Sequence, residues 1–446
     1  MNLPRRLVAL ALAVPLLLAA LPASGEDLMD IYREAQRNDP ALATARATWL
    51  ATQERAPQAR AQLLPNVALS GSVNANDIYS NTRSSPPIVS AGNFQDYGVA
   101  ITASQPIFRV QTAVAYDQAR RQVEQADYNL AAAQQDLIIR VAVTYFDVLL
   151  AQFNVELAVA QKAAVSEQLA QAKRNFEVGV ATITDTNEAQ ANFDQIVAQE
   201  IAARNELDNR LAALRAIIGR MPRDLKKLGA NFDPTPPEPD ALDPWLDRAL
   251  KENLAVRVSQ FAYDIAALEV DKQRAGHLPT LDLIGSLRAG GTTGGASSDF
   301  DGTSRNVAIG VALTLPIYQG GFVDSRVREA VALQDAARES LELARRAALF
   351  NAQVGYTGVN SSVASVRAFT AAVQSAEVAL QSNRLGQEVG VRTNLDVLNV
   401  QQTVFTQRRN LAQAYFNYLV NTLRLKSAVG TLNEQDLEAL NRRLGG

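Results

Sequence analysis

Hydrophobic residues recur along this chain with two different periods, and the period predicts the type of each element. Helical spacing extends over unusually long stretches, because neither Gly nor Pro occurs in 107–178 or in 180–218. At about 1.5 Å per residue, the first stretch is predicted to form a helix on the order of 100 Å long. Helices of this length need coiled-coil packing. Small residues on several faces, as in 130–133, favour a layer in which each helix has neighbours on both sides.

A glycine interrupts each pair of long helical patterns. The helices are predicted at about 107–178 and 180–218, and again at about 322–389 and 391–429. Gly179 and Gly390 lie between the members of these pairs. Glycine costs about 1 kcal/mol inside a helix and readily adopts a positive φ. Each glycine is therefore predicted to form the turn of a helical hairpin.

Four segments change to a period of two, which predicts β-strands. They lie at about 66–76, 95–105, 280–289 and 305–315. In the last segment, Val307, Ile309 and Val311 alternate with small or polar residues. An apolar face on a strand of this length suits a tilted membrane crossing, which takes about 9–11 residues. The alternative is a soluble β-domain whose apolar faces form a core.

The membrane interpretation requires an oligomer. Four strands cannot close a barrel, and an open sheet edge in lipid would leave unpaired backbone groups that cost several kcal/mol each. Bacterial barrels made from one chain begin at about eight strands. Several copies of this chain would therefore have to share one barrel.

An internal duplication divides the sequence into two similar halves. Leu64-Pro65 corresponds to Leu278-Pro279, and the two glycine turns align. A helix precedes the strands of each half, at about 28–63 and at 244–275. The first has candidate breaks at Asp39-Pro40 and at Pro57. The predicted divisions are a first repeat at 26–219, a Pro-rich linker at 220–243, a second repeat at 244–430 and a tail at 431–446.

The first 25 residues have the three parts of a secretory signal peptide. Arg5 and Arg6 are basic, residues 7–21 form an apolar run, and small residues precede Glu26. The run is shorter than the roughly 20 apolar residues of a membrane-spanning helix. No later segment is predicted to cross a membrane as a helix, so the mature protein is expected to be exported.

Composition narrows the possible chemistry. The 446 residues include no cysteine and one histidine, His277, and the net charge at pH 7 is −3. These values exclude disulfides and thiolate metal sites, argue against a histidine metal site or a Ser-His mechanism, and give no nucleic-acid signal. The sequence also has no nucleophile elbow, phosphate loop or metal-ligand spacing. Neither enzymatic activity nor a cofactor is expected.

Taken together, these features resemble the TolC family of outer-membrane channels over essentially the whole mature sequence. The resemblance is carried by the Leu-Pro strand starts, the strand ends Gln-Pro-Ile-Phe at 105–108 and Leu-Pro-Ile-Tyr at 315–318, the twin glycine turns and the segment 417–432. It implies a mainly α protein with a small β part. Three copies would share a twelve-stranded outer-membrane β-barrel, four strands from each, which continues into a long helical barrel in the periplasm.

The same resemblance implies a function without catalysis. The expected role is the exit duct of a tripartite efflux pump or a type I secretion system in a Gram-negative outer membrane. Expected partners are a periplasmic membrane-fusion adaptor protein, an inner-membrane ABC or RND-type transporter and outer-membrane lipid. From the residues alone, a soluble periplasmic coiled-coil adaptor or interaction protein stays an alternative. The cargo, drugs or secreted protein, stays open.

In this family, links between helical hairpins close the periplasmic mouth. By the resemblance, Thr184 and Asp185 match the acceptor positions and Arg392 matches their basic partner. From the residues alone, Asp185 and Arg392 would be a solvated pair worth about 0–1 kcal/mol.

Three further positions bear on the pore itself. Asp396 matches the first aspartate of a ring that narrows the pore. Gln387 stands where the family has a gate tyrosine, and Asn399 stands where it has a second ring aspartate. A single carboxylate ring would hold three charges per trimer. A weaker closure is therefore expected, and ion selectivity stays open.

Overall fold

A computed structural model describes residues 25–82, 88–227, 233–294 and 302–442. The signal peptide predicted at 1–25 lies outside these ranges except for Gly25. The first half contains α1 (Leu28–Asn38), α2 (Pro40–Gln53), α3 (Arg55–Ala61), β1 (Asn66–Thr82), β2 (Ile88–Phe108), α4 (Val110–Glu177) and α5 (Ile183–Ile218). The second half contains α6 (Asp243–Glu252), α7 (Leu254–Arg274), β3 (Thr280–Thr293), β4 (Gly302–Thr314), α8 (Phe322–Glu388), α9 (Asn394–Ala428) and α10 (Glu434–Asn441). The predicted fold class, mainly α with four strands, is confirmed.

The four strands form one antiparallel sheet in the order β1-β2-β3-β4. Neighbouring rows across this sheet differ in polarity, because side chains of successive residues point to opposite faces. One row is Leu69, Ile101, Leu287 and Val307, and the next is Ser70, Ala100, Arg288 and Asn306. The sheet therefore has one apolar and one polar face.

The strands are longer than the sequence predicted. β1 continues to Thr82 and β2 begins at Ile88, so pairing extends beyond the predicted ends at 76 and 95 into the polar segment between the two strands. Backbone hydrogen bonds between antiparallel strands do not require apolar side chains, and the alternation of polarity stops before the pairing does. At its other end β2 extends to Phe108, which delays the start of α4 from the predicted residue 107 to Val110.

The N-terminal helix predicted at 28–63 is divided into three. Asp39 ends α1 and caps α2 through a 2.8 Å bond from the Leu42 N–H. α2 and α3 meet at Glu54, whereas Pro57 lies inside α3. The tail at 431–446 contains α10, which the sequence analysis did not predict. A capping box of Asn433 and Asp436 starts this helix.

The main hydrophobic core lies at mid-height of the long helices. Tyr145 and Phe146 of α4 are buried there with Leu419 of α9, Leu28 of α1 and Leu437 of α10. The core therefore joins the two halves of the chain and the tail. Among the described residues α4 alone is long and apolar enough to cross a membrane, a property the sequence analysis did not predict. Just under half of its apolar window, 44%, is buried within the protein.

The long helices form a single layer with two outer sides. On the sheet side of the core, α4 lies between α2 and α7, and α8 packs on α7. On the other side of the core, α4 lies between α5 and α9, and α8 packs on α9. The sequence of neighbours there is α5-α4-α9-α8, which leaves α5 and α8 as the outer helices.

Candidate functional site at the hairpin tips

The far ends of the two hairpins have the same architecture; we call residues 178–185 tip 1 and residues 389–396 tip 2. Gly179 and Gly390 adopt φ values of 77° and 80°, a left-handed conformation in which a side chain would be strained. At tip 2 the Val391 N–H then donates to the Gly386 carbonyl at 2.8 Å. The predicted glycine turns are thus present at both tips.

A threonine and an aspartate cap the second helix of each hairpin. Asp185 Oδ2 accepts 2.8 Å bonds from the backbone N–H and the hydroxyl of Thr182. Asp396 Oδ2 accepts 2.9 Å bonds from the same two groups of Thr393. In return each threonine hydroxyl accepts from the aspartate N–H, which completes a capping box. Both aspartates were singled out for their charge, whereas their part in helix capping was not predicted.

The same bonds set the ionisation of the two aspartates. Hydrogen bonds from the Thr182 backbone and hydroxyl lower the pKa of Asp185. Those from Thr393 lower the pKa of Asp396, to which the nearby charge of Arg392 adds a smaller effect in the same direction. Both groups are therefore anionic at neutral pH, and each keeps its Oδ1 outside the capping box.

The basic residue of the predicted link does not meet its acceptors within one chain. The aliphatic part of Arg392 lies over Gly386, where an added Cβ would be 2.7 Å from Arg392 Cγ. Within the described ranges, the ion pairs do not include one from Arg392 to Asp185, and Thr184 is exposed at the start of α5.

Gln387 and Asn399 are also placed by the structure. Gln387 Nε2 donates to Asn394 Oδ1 at 3.3 Å, so this side chain joins α8 to α9 within one hairpin. Asn399 is exposed on α9, three residues from Asp396 and hence on the same side of that helix.

Exposed valines flank both turn glycines. Val178, Val180, Val389 and Val391 are between 66% and 75% exposed. Each tip thus presents an apolar surface at the end of the molecule, of the kind that marks contact with another protein. The repeated Val-Gly-Val is visible in the sequence, but the analysis used only its glycine.

α8 has an exposed apolar stripe that the sequence analysis also missed. Leu343, Phe350, Val378 and Leu385 are 62–70% exposed and share one heptad position. The intervening residues at this position are exposed as well, namely Thr357, Ala364 and Ala371. A heptad stripe of this length indicates packing against another helix. This stripe lies on an outer helix of the layer, so another copy of the chain can cover it.

The sheet likewise has two free edges. β1 pairs only with β2 and β4 only with β3 among the described residues. The apolar face is open too, since Leu69, Val307, Ile309 and Leu313 are at least 68% exposed. A sheet with open edges and an exposed apolar face needs further strands and an apolar surrounding.

Comparisons with known proteins agree with this architecture. The family model "Outer membrane efflux protein" matches residues 31–220 and 245–431. The chain is 35% identical to outer membrane protein TolC of Vibrio cholerae over 420 residues, 94% of each chain. It is 32% identical to alkaline protease secretion protein AprF of Pseudomonas aeruginosa, across 97% of this chain and 90% of AprF. The Campylobacter jejuni CmeC outer membrane channel has the same fold, with a TM-score of 0.78, 19% identity and coverage of 94% and 90%.

Proposed function

The chain belongs to the outer membrane efflux protein family, and from this membership we propose that three copies form one passive outer-membrane duct. The observation that carries the proposal is a four-stranded sheet, with free edges and an exposed apolar face, attached to two helices, α4 and α8, of about 100 Å each. Three such sheets supply twelve strands, which suffice for a closed membrane barrel. The two matched segments, 31–220 and 245–431, also support the two repeats.

The duct serves as the exit of a tripartite efflux pump or a type I secretion system. The relative AprF is named for secretion of alkaline protease, and the matching family model is named for efflux. Cargo is received from an inner-membrane ABC or RND-type transporter through a periplasmic adaptor protein. The exposed valines of both tips support an adaptor that contacts the ends of the hairpins.

The mouth is held closed by links between neighbouring copies. α8 and α5 are the outer helices beyond the core, so α8 of one copy packs on α5 of the next. Arg392 follows α8, whereas Thr184 and Asp185 begin α5. The neighbouring copy thus supplies the acceptors that Arg392 lacks within its own chain. Asp396 forms a ring of three carboxylates, one from each copy, and Asn399 adds polar but uncharged groups.

Substitution of Arg392 tests this closure. Arg392→Ala is expected to raise the open-to-closed ratio in planar bilayers by up to roughly fivefold per link, the value of an exposed ion pair of about 1 kcal/mol. Asp185→Asn should act in the same direction while it keeps an acceptor for the capping box. Arg424→Ala, at an exposed position on α9 far from the tips, is the control.

The result that would remove Arg392 from the gate is an unchanged open probability in both tip variants. Arg424→Ala should match the unsubstituted protein. A protein that inserts but never conducts, in any variant, would contradict the duct itself.

A further inference from the structure

One arginine lies on the apolar face of the sheet. On β4 this face carries an apolar run, namely Val307, Ile309, Val311 and Leu313. Arg305 is the next residue on the same face, because side chains two residues apart in a strand point the same way. Its row across the sheet otherwise holds only small or apolar residues, which are Ala289, Val99 and Gly71. A charge on such a face is costly at the middle of a bilayer, so its position needs an explanation.

Arg305 lies at the outer end of the apolar run. Thr314 ends β4 nine residues after Arg305, which is roughly 30 Å of strand. At a strand tilt of about 35–45° this length is roughly 23 Å across the membrane, and the apolar band of a membrane barrel is about 25 Å tall. The long helices follow Thr314 towards the periplasm. Arg305 is therefore placed at the head groups of the outer leaflet.

The Arg305 side chain finds no anion within its own chain. In the described ranges, neither the hydrogen bonds nor the ion pairs include it. At the other end of the sheet, by contrast, Arg109 binds both oxygens of Asp282 at 2.8 and 2.6 Å. A long basic side chain at the border of the apolar band extends its charge to the membrane surface. The guanidinium is thus available to an anion from outside the chain.

Two hydroxyl groups lie close to Arg305 on the same face. Tyr97 and Thr303 belong to the next row outward, together with Gly291. The Tyr97 hydroxyl lies 2.7 Å from where a Cβ of Gly291 would be, so the phenol extends from β2 over β3 towards the strand of Arg305. A guanidinium and two hydroxyls supply the donors that a phosphate group requires.

We propose that Arg305, with Tyr97 and Thr303, binds a phosphate group of lipopolysaccharide, the lipid of the outer leaflet, while its acyl chains cover the apolar run below. The planar guanidinium matches a phosphate with two parallel hydrogen bonds. The inference rests on the proposed function, because it requires the apolar face to point out of a membrane barrel. Glycerophospholipids of the inner leaflet lie at the opposite end of the sheet, far from Arg305.

Titration of the detergent-solubilised oligomer with fluorescent lipopolysaccharide tests the site. Arg305→Ala should weaken the apparent affinity by roughly tenfold or more, as expected for the loss of hydrogen bonds to a charged group. Arg305→Lys should recover only part of it, since an ammonium lacks the bidentate geometry. Dephosphorylated lipopolysaccharide should bind the unsubstituted protein as weakly as the intact lipid binds Arg305→Ala.

Arg288→Ala is the matched control. Arg288 is an exposed arginine on the row next to that of Arg305, but on the polar face. Its replacement should leave the affinity for lipopolysaccharide unchanged. Equal losses in the two variants would show that the lipid responds to net charge alone and would overturn the site. Equal binding of phosphatidylglycerol would overturn the assignment to lipopolysaccharide.

A carboxylate of a neighbouring copy is the competing partner. β1 and β4 are the free edges of the sheet, and Asp77 lies on the same face of β1 as Gly71. If Asp77 of another copy held Arg305, Asp77→Asn and Arg305→Ala would lower the heat resistance of the lipid-free oligomer equally, which would overturn the proposal. We expect Arg305→Ala to keep that heat resistance and to lose only the increase that added lipopolysaccharide gives.

Conductance in planar bilayers separates the lipid site from the duct. The unsubstituted protein and Arg305→Ala should both conduct, because Arg305 lies on the face away from the polar rows. If both conduct but bind lipopolysaccharide equally well, only the lipid site is refuted. If the unsubstituted protein never conducts, the duct fails and the lipid site with it.

Discussion

Asp185 and Asp396 each have two roles at a tip, since they cap a helix and carry a negative charge. One oxygen of each carboxylate is occupied by its threonine, and Oδ1 lies outside the box. Replacement by alanine therefore removes the aspartate's half of the capping box as well as a charge. Asparagine, which can still accept a hydrogen bond, separates the two effects.

Acid should loosen both tips. Hydrogen bonds lower the pKa of Asp185 and Asp396 below the ordinary value of about 3.9. The stabilisation is then complete above the ordinary value and is lost as the pH falls through the lowered folded-state pKa. Hydrogen exchange of the first turns of α5 and α9 should accelerate below about pH 4, after correction for intrinsic rates.

The control for this acid effect is the Asp185→Asn and Asp396→Asn protein, whose tips have no carboxylate to titrate. Its corrected exchange at both first turns should not change over the same pH range. Equal pH dependence in the two proteins would show that other groups control the tips.

At the residue scale the sequence predicted positions better than contacts. Thr182 and Asp185 are three residues apart, a capping-box spacing that could have been recognised. The hydrogen bond between Gln168 of α4 and Gln401 of α9 had no such signal, because it depends on how two hairpins separated by more than 200 residues pack. The described residues do not pair Arg392 with Asp185 either, and our proposal assigns this acceptor to a neighbouring copy.

Among the elements, α8 has the clearest role beyond its own chain. It carries an exposed heptad stripe along an outer side of the layer. The stripe was missed because the sequence analysis expected small residues on several faces and no dominant seam. Burial, which separates exposed from core apolar residues, reveals it.

A charge on this stripe should prevent assembly. Leu343→Glu, at a position 70% exposed in one chain, would bury an unpaired carboxylate between copies, which is costly. A heat-resistant oligomer is expected on detergent gels for the unsubstituted protein and should be lost in Leu343→Glu. Arg345→Glu, a charge reversal at a nearby exposed position on another face of α8, should leave it intact. Survival of the oligomer in Leu343→Glu would show that α8 does not form the interface.

The strands illustrate a different limit of prediction. Their existence and faces followed from alternation, because the outer rows contact lipid and the inner rows contact water. Their ends did not, since β1 and β2 continue as paired backbone through polar residues such as Asp77 and Asn93.

For the whole molecule, the main hydrophobic core joins the β part to the hairpins. Arg140 of α4 binds both oxygens of Asp39 at 2.9 and 3.1 Å, and the Asp39 side chain is 3% exposed. Arg140→Met would leave this carboxylate buried without its cation, at a cost of about 3–5 kcal/mol. Thermal unfolding followed by circular dichroism should shift to lower temperature.

Asp39→Asn is the comparison variant for the Arg140–Asp39 ion pair. It removes the charge but keeps an acceptor for the Leu42 N–H, and it leaves an arginine that is already a third exposed and still pairs with Asp136. Its unfolding temperature should fall less than that of Arg140→Met. The reverse order would mean that the buried carboxylate is not what Arg140 stabilises.

At this scale the sequence predicted more than at the others. The need for several copies follows from four strands and the cost of a free edge in lipid. The identity of the transporter does not follow, because the exposed valines of the tips form only an apolar surface, which does not distinguish one transporter from another.

Because the hairpins are long, a small tilt at their base displaces their tips by a much larger distance. The part of α4 from Phe146, in the main hydrophobic core, to Glu177, at the end of the helix, is roughly 45 Å long. A tilt of only about 3° at its base displaces its end by roughly 2–3 Å, about the length of one hydrogen bond. Small repacking in the main hydrophobic core would therefore suffice to break the bonds that we propose close the mouth, and a weak force on a tip would act through a long moment arm.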